Sequence, residues 1–158
     1  MNAVPATAAP RLRPMTLHDV DAVGAIEASA YGFAWTRGNF IDSLAASHLA
    51  EVLEDERVIG YFVALPGVDE MHLLNITIAP HRQGQGHGTR LLDAVAAHAS
   101  VRGLPRLWLE VRASNERAMA LYVRRGFVVV GRRRGYYPAA EGREDAILMS
   151  RSVAAPSA

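Results

Sequence analysis

Apolar residues in the first third of the chain recur at the spacing of a helix. Thr16-Leu17-His18-Asp19 resembles a capping box with Asp in place of Glu, which predicts that a helix begins directly after it. Four apolar residues then follow at helical intervals on one face: Val20, Val23, Ile26 and Ala30. The elements predicted in this third are a short strand at 11–13, this helix ending at Gly32, and a second helix from a Thr36 cap to about Ala46.

The middle third is strand-like before it becomes helical again. Runs 49–53, 58–65 and 71–78 are apolar and partly β-branched, which predicts three strands. Glu54-Asp55-Glu56 is interpreted as a solvated hairpin turn, and Pro80 ends the third strand. A long helix is predicted from about Gly86–Gly88 until Gly103 and Pro105, with one apolar stripe of Leu91, Leu92, Val95, Ala96 and Ala99.

The last third alternates strands with one more helix. The predicted elements are a strand at 107–111, a helix at 115–125 stopped by Gly126, a strand at 127–131, a polar loop at 135–144 and a final strand at 146–149. Two crossover helices in the second half indicate an α/β sheet with parallel strand pairs there.

The composition fits one domain with room for a core, because the chain has 158 residues of which 50% are hydrophobic. Residues 1–10 are interpreted as a disordered leader, 11–153 as the single domain and 154–158 as a disordered tail. No apolar run approaches the ~20 residues that span a bilayer, so no membrane partner is expected. Since the leader also lacks the basic start of a signal peptide, we expect a cytoplasmic protein.

Cysteine and lysine are both missing, and all 17 basic residues are arginine. The lack of cysteine excludes disulfides, thiolate metal sites and cysteine nucleophiles. The lack of lysine excludes Schiff-base chemistry and a Walker A phosphate loop. A net charge of +1 argues against direct nucleic-acid binding, and the spacing of the six histidines predicts no metal site.

The strongest local signal is Gln83-Gly84-Gln85-Gly86-His87-Gly88, which lies between a predicted strand and a predicted helix. Glycines remove the side chains that would keep a ligand from the backbone, and the helix N-terminus adds a partial positive charge. Such a turn can bind a pyrophosphate without lysine, although many glycine-rich turns are purely structural. The spacing differs from the G-x-G-x-x-G of dinucleotide-binding folds.

With the preceding strand, this loop resembles the acetyl-CoA signature of the GNAT N-acetyltransferases: Ile76-Thr77-Ile78-x-Pro80, then Gln83-x-x-Gly86-x-Gly88. The resemblance implies that the strand end hydrogen-bonds the pantetheine arm of acetyl-CoA, while the loop amides hold the pyrophosphate. His87 replaces a residue that is often aliphatic and is interpreted as a tolerated loop residue. The cofactor-binding residues implied are Ile76, Thr77, Ile78, Gln83, Gly84, Gln85, Gly86, His87, Gly88 and Thr89.

Two further residues could supply acid–base chemistry. Strand alternation places Glu110 on the face opposite Leu109, where it is either a functional carboxylate or the partner of an arginine such as Arg112. Tyr122 lies on a helix face where a hydroxyl could act as an acid or merely be satisfied in the core. Helical spacing predicts the members of that face as Asn115, Ala118, Met119, Tyr122 and Val123.

More specific blocks resemble the RimI-type ribosomal-protein alanine N-acetyltransferases within the GNAT family. They are Ala34-Trp35-Thr36, the run from Leu107 to Asn115, Ala120-Leu121-Tyr122, Gly126-Phe127, Tyr136-Tyr137-Pro138 and the run from Gly142 to Ala146. The resemblance implies a GNAT fold with a mixed central sheet of about six to seven strands flanked by about four helices. It also implies acetyl transfer from acetyl-CoA to the α-amine of an N-terminal alanine on a small-subunit ribosomal protein.

The same resemblance assigns residues to roles. Glu110 would be the base, Tyr122 the acid and Asn115 a contact to the cofactor, whereas Trp35, Tyr136 and Tyr137 would line the peptide groove. Two alternatives stay open: an acetyltransferase of small-molecule amines, and a non-catalytic module that binds acetyl-CoA. The arginine clusters 124–125 and 132–134 are either solvated element ends or a surface for an acidic partner.

Overall fold

The computed structural model describes residues 9–156. Most of the predicted leader, residues 1–8, and residues 157–158 of the predicted tail lie outside that range. The strands are β1 (Arg11–Pro14), β2 (Leu49–Glu54), β3 (Val58–Pro66), β4 (Glu70–Ile78), β5 (Arg106–Arg112), β6 (Val128–Pro138) and β7 (Arg143–Ser152). The helices are α1 (Val20–Ala30), α2 (Arg37–Ala45), α3 (His87–Val101) and α4 (Glu116–Arg124), with 3₁₀ turns at Leu17–Asp19 and Pro80–Arg82.

The seven strands form one mixed sheet in the order β1-β2-β3-β4-β5-β7-β6, which confirms the predicted α/β class and strand number. The expected parallel pairing holds for one pair: of the strand neighbours described, β4 and β5 are parallel and the others are antiparallel. The reason is that β7 lies between β5 and β6, so the crossover through α4 joins strands that are not neighbours.

The sheet opens between β4 and β5. Of the residues of β4, those from Glu70 to Leu73 pair with β5, and the last pair is Leu73 with Leu109. The register of β4 against β3 shifts just beyond this pair, since Val63 is opposite Asn75 while Ala64 is opposite Leu73. This bulge turns the end of β4 away from β5 while Ile76–Ile78 stay paired to β3. A gap therefore opens in the middle of the sheet.

Each face of the sheet is covered by its own hydrophobic cluster. On one face, α3 buries Leu91, Leu92, Val95 and Ala99 of the predicted stripe, with Ala96 partly buried. On the other face, Val23 of α1 and Phe40 of α2 pack into one cluster with Tyr61 of β3. Fully burying side chains of this size stabilises the fold by ~1.5–3 kcal/mol each. These two layers hold the opened sheet from both sides.

The C-terminal hairpin is longer than predicted. Residues 135–144 were expected to form a polar loop, but β6 continues to Pro138 and β7 begins at Arg143, which leaves four residues for the turn. A register shift between Arg133 and Tyr137 accommodates Gly135, whose φ of 56° would be strained for other residues. Because β6 is an edge strand, it also tolerates a proline that removes one hydrogen-bond donor.

Candidate active site

A cleft of about 470 Å³ lies beside the open end of β4. The glycine loop, the first turn of α3, one face of α4 and the end of α1 form its walls. Most of the predicted cofactor-binding residues line it: Ile76, Thr77, Ile78, Gln83, Gly84, Gly86, His87, Gly88, Thr89 and Asn115. Gln85 lies outside this lining, where its side-chain oxygen accepts a 3.2 Å hydrogen bond from Arg82 Nε.

The glycine loop has its shape because of its backbone angles and because it packs closely on α4. Gly84 and Gly86 have φ values of 77° and 85°, which residues with a Cβ adopt only under strain. A Cβ on Gly88 would lie 3.1 Å from Leu121 Cδ2, so glycine allows α3 and α4 to approach each other. The N-terminus of the 15-residue helix α3 therefore faces the cleft with its partial positive charge.

Arginines supply the full positive charges around the same cleft. Arg82, Arg117 and Arg124 all line it, and none of them was predicted as a site residue. Arg82 is fixed by a 2.8 Å ion pair with Asp55. The hairpin turn at 54–56, interpreted from sequence as merely solvated, thus anchors the glycine loop. This charge distribution suits an anion such as a pyrophosphate.

Tyr122 lies on α4 and lines the cleft. The residue is buried, and its ring packs on Phe127 with the centroids 5.6 Å apart. Burial raises the pKa of Tyr122 far above the ordinary range, so the hydroxyl keeps its proton at every physiological pH. The predicted helix face holds for Asn115 and Tyr122, but Val123 is exposed and Leu121 lines the cleft in its place.

The buried carboxylate of Glu27 on α1 holds the end of β4 through hydrogen bonds. Glu27 of α1 is 2% exposed and accepts hydrogen bonds from Tyr61 Oη (2.6 Å), Asn75 Nδ2 (2.8 Å) and the backbone N–H of Trp35 (2.9 Å). Thr77 Oγ1 in turn donates to Asn75 Oδ1 at 3.0 Å. Glu27 was missed, although its position seven residues after Val20 on the predicted apolar face was a usable signal.

Tyr31, at the end of α1, connects this network to the cleft. Its hydroxyl lies 3.0 Å from Thr77 Oγ1 and 3.2 Å from the carbonyl oxygen of Ile76, and its ring lines the cleft. Burial raises the pKa of Tyr31, so it remains a neutral hydrogen-bonding group. The strand end that was predicted to contact the cofactor is therefore held by side chains of α1.

Glu110 follows Leu109 on β5, so it is the first residue of that strand beyond its pairing with β4. Its side chain is 10% exposed. Oε1 lies 3.7 Å from His72 Nε2 and Oε2 lies 3.7 Å from Arg133 Nε, distances too long for direct hydrogen bonds. Among the described residues the buried Oε2 finds no hydrogen-bond partner. A buried carboxylate oxygen in this state is a ready acceptor for a bound donor.

The alternative left open for Glu110 was an ion pair with an arginine such as Arg112, and the arginine that the structure places beside it is Arg133 instead. Arg112 bonds instead to Glu144 Oε1 at 2.8 Å. His72 does not neutralise Glu110 either, because burial, with a smaller contribution from the charge of Arg133, lowers the pKa of His72 to about 4. The neutral imidazole stacks on Trp108 with the ring centroids 3.6 Å apart. The nearest cation is therefore Arg133, whose side chain is half exposed.

The predicted peptide-groove residues lie in two places: Trp35 packs in the core, whereas Tyr136 and Tyr137 lie against arginines near Glu110. Trp35 packs on Phe40 with the centroids 5.2 Å apart and joins the core on the α1–α2 side. Its neighbour Phe33 is 48% exposed and faces Arg112. Tyr137 also lies against Arg112, whereas Tyr136 lies against Arg133. Burial, with the nearby charge of Glu110 adding to it, raises the pKa of Tyr137 to about 12.

The described residues contain no cluster of three or more histidine, aspartate or glutamate side chains placed to hold a metal ion. Within residues 9–156, no helix is long and apolar enough to cross a membrane.

Three comparisons with known proteins agree with one another. The model of the acetyltransferase (GNAT) family matches residues 20–127. The ribosomal protein bS18-alanine N-acetyltransferase of Salmonella typhimurium is 38% identical over 133 residues, which cover 84% of this chain and 90% of that protein.

Solved structures extend the likeness to the fold. The crystal structure of the ribosomal-protein-S18-alanine N-acetyltransferase from Escherichia coli superposes with a TM-score of 0.86 at 34% identity, covering 94% of this chain and 96% of that one. Ard1 from Thermoplasma volcanium superposes with a TM-score of 0.83 at 23% identity, covering 93% of this chain and 99% of that one, and shares the fold.

Proposed function

Because this chain belongs to the acetyltransferase (GNAT) family, we propose that it transfers acetyl from acetyl-CoA directly to the α-amine of an N-terminal alanine on a small-subunit ribosomal protein. The domain that does so is taken as residues 11–153. The observation that carries the proposal is the position of Glu110, a largely buried carboxylate whose Oε2 has no hydrogen-bond partner among the described residues, at the point where β4 and β5 separate.

The residues of the cleft fit acetyl-CoA. The N–H and C=O groups at the end of β4 face a gap in the sheet, where the pantetheine arm could bond as another strand does. Amides of the glycine loop, the α3 N-terminus and the cleft arginines suit the pyrophosphate. Asn115 caps α4 by accepting from the N–H of Ala118 at 3.2 Å, and its position in the cleft supports a contact to the bound group.

Glu110 is proposed as the base. An α-ammonium has a pKa of ~8, so a large fraction of the substrate is protonated near neutral pH and must lose a proton before it attacks. A carboxylate whose Oε2 is buried without a partner can accept that proton directly or through one water molecule. The ε-amine of lysine, with a pKa of ~10.4, would need more assistance.

Tyr122 is proposed as the acid. The deprotonated amine attacks the thioester carbonyl carbon, a C–N bond forms, and the C–S bond of acetyl-CoA breaks. Glu110 takes one proton from the ammonium before attack, and the O–H of Tyr122 gives its proton to the departing sulfur. The second N–H proton, which leaves as the amide forms, returns through solvent to the oxygen of Tyr122, and Glu110 releases its proton to solvent. The position of Tyr122 in the cleft supports this role, and its raised pKa means only that the hydroxyl carries a proton to give.

The substrate side is proposed from the residues around Glu110 and from the relatives. Tyr136 lies against Arg133, the arginine nearest to Glu110, and Tyr137 lies against Arg112, two residues after Glu110 on β5. Both tyrosines would contact the first residues of the peptide. Trp35 would act from the core by holding the loop that carries Phe33. The alanine preference comes from the relatives that are bS18-alanine N-acetyltransferases.

A peptide panel tests the proposal. The full chain is incubated with acetyl-CoA and short peptides that differ in their first residue, together with free polyamines and aminoglycosides, and products are read by mass spectrometry. Acetylation of the α-amine of alanine-start peptides is expected. Turnover of the small amines alone would favour a small-molecule acetyltransferase, and tight acetyl-CoA binding without any turnover would favour a non-catalytic module.

A further inference from the structure

Arg112 joins three segments that are distant in sequence. Its guanidinium carbon lies 4.5 Å from the ring centroid of Tyr137 on β6 and 5.1 Å from that of Phe33 in the α1–α2 connection. Its Nη1 donates to the carbonyl oxygen of Pro138 at 2.7 Å and to Glu144 Oε1 at 2.8 Å. One side chain thus contacts the α1–α2 connection and both strands of the C-terminal hairpin.

These contacts need the shape of an arginine. A planar guanidinium can lie against aromatic faces while its edge donates hydrogen bonds, whereas the ammonium of lysine is a point charge on a flexible chain. Glu144 is itself oriented, because its Oε2 accepts a 3.2 Å hydrogen bond from the N–H of Ser114. The carboxylate thus holds the edge of the guanidinium in place, and the rings of Phe33 and Tyr137 are held with it.

Arg112 also lies close to the proposed base in the strand. It is two residues after Glu110 on β5, so both side chains are on the same face of the sheet. Because Arg112 donates its hydrogen bonds to Glu144 and to the carbonyl oxygen of Pro138, it does not neutralise Glu110. The rings of Phe33 and Tyr137, which belong to separate segments, therefore meet at Arg112 on the sheet face that carries Glu110.

We infer that Arg112 is a positioning residue that fixes the width of the substrate site, by holding the Phe33 segment and the β6–β7 hairpin at a set separation beside Glu110. This inference rests on the proposed function, since it assigns the surface beside Arg112 and Glu110 to the substrate amine and the residue that carries it. It predicts that Arg112 acts on substrate affinity and leaves the acetyl-CoA cleft, which it does not line, unaffected.

The fold depends on Arg112 less than the proposed substrate site does. The buried residues of β5 are Leu107, Leu109 and Val111, which point into the core on the opposite face. The Arg112 side chain is 22% exposed. A neutral residue at 112 should therefore loosen the Phe33 segment and the β6–β7 hairpin without unfolding the sheet.

The test compares Arg112→Gln and Arg112→Lys with Arg106→Gln in the full chain, using an alanine-start peptide and acetyl-CoA. Arg106 is a matched control, because it also lies on β5 and pairs with a carboxylate, Glu70, at 4.0 Å, but at the other end of the strand. We expect Arg112→Gln to raise the peptide KM about tenfold or more, with the acetyl-CoA KM within about twofold of wild type. Arg112→Lys should recover part of the loss, and Arg106→Gln should change neither constant.

Two results would overturn the inference: an unchanged peptide KM in Arg112→Gln, or equal rises in the KM of both substrates, which a general loss of structure would cause. If Arg112→Gln fails to fold, Phe33→Ala in the exposed connection removes one of the two rings at Arg112 and should raise the peptide KM alone; an unchanged value would count equally against the inference. If wild type acetylates small amines and no peptide, the proposed function fails. The same variants are then measured with the preferred amine. An unchanged KM for that amine rejects the positioning role of Arg112.

Discussion

Leu73 on β4 and Leu109 on β5 form the last pair of the parallel ladder, and Glu110 is the next residue along β5. The carboxylate is therefore located where the sheet opens, next to the strand end that lines the cleft. This relationship places a proposed base and a proposed acetyl-CoA site at the same gap, and the predictions below follow from it.

Replacing Glu110 with Gln should lower kcat about 100-fold or more, because general base catalysis commonly contributes ~10²–10⁴-fold. Gln keeps the size of the side chain but cannot take the amine proton. Steady-state kinetics with an alanine-start peptide measures the effect, and calorimetry should give an acetyl-CoA Kd close to that of wild type. A variant that retains the wild-type kcat would remove Glu110 from the proposed role.

Replacing Tyr122 with Phe should also lower kcat while the protein stays folded, since the ring can still pack on Phe127. The raised pKa of Tyr122 gives a second expectation. Because the hydroxyl loses its proton only far above pH 10, the wild-type kcat should not fall between pH 8 and pH 10 through ionisation of this group. A decline of kcat in that range that disappears in Tyr122→Phe would contradict the assignment.

Replacing Glu27 with Leu should destabilise the protein by about 3 kcal/mol or more, since it leaves three donors without their acceptor and each unsatisfied buried group costs ~1–3 kcal/mol. Those donors are Tyr61, Asn75 and the N–H of Trp35. Urea unfolding followed by circular dichroism measures the change. Glu141→Leu, in the exposed turn between β6 and β7, is the control and should change the unfolding free energy little. Equal effects of the two substitutions would show that the buried carboxylate is not a structural centre.

His72 should make the protein less stable in mild acid. Its pKa is about 4 in the folded chain against an ordinary value of 6.5, so the unfolded state binds the proton more readily. The contribution of His72 to stability is therefore complete above pH 6.5 and is lost as the pH falls from 6.5 toward 4. His72→Gln should lose less stability between pH 7 and pH 5 than wild type does.

The control for that experiment is His81→Gln, because His81 lies on the surface in the 3₁₀ turn after β4. It should follow the wild-type pH profile of unfolding free energy. If His72→Gln follows the same profile as His81→Gln, the stacked imidazole has no depressed pKa.

Local periodicity predicted much of this structure. Helical spacing located the buried face of α3, and strand alternation put Glu110 on the face opposite Leu109, as observed. The glycine spacing marked a loop whose Gly84 and Gly86 have positive φ values. These features depend on residues within about one turn or one strand of each other, which a sequence displays directly.

Contacts between distant segments could not be predicted in the same way. The partner of Arg112 is Glu144 rather than Glu110 because β7 lies beside β5, and the sequence does not display strand order. The same holds for Glu27, whose donors come from β3, β4 and the Trp35 segment. The length of β6 was missed because Gly135 and Pro138 are typical of loops, whereas an edge strand accommodates both.

The most direct test uses one peptide that carries both kinds of amine, an N-terminal alanine and an internal lysine. Wild type and Glu110→Gln are incubated with this peptide and acetyl-CoA, and the modified nitrogen is located by tandem mass spectrometry. The account predicts that wild type places acetyl on the α-amine alone and that Glu110→Gln loses this product. Acetyl on the lysine alone, or equal α-amine product from both proteins, would contradict it.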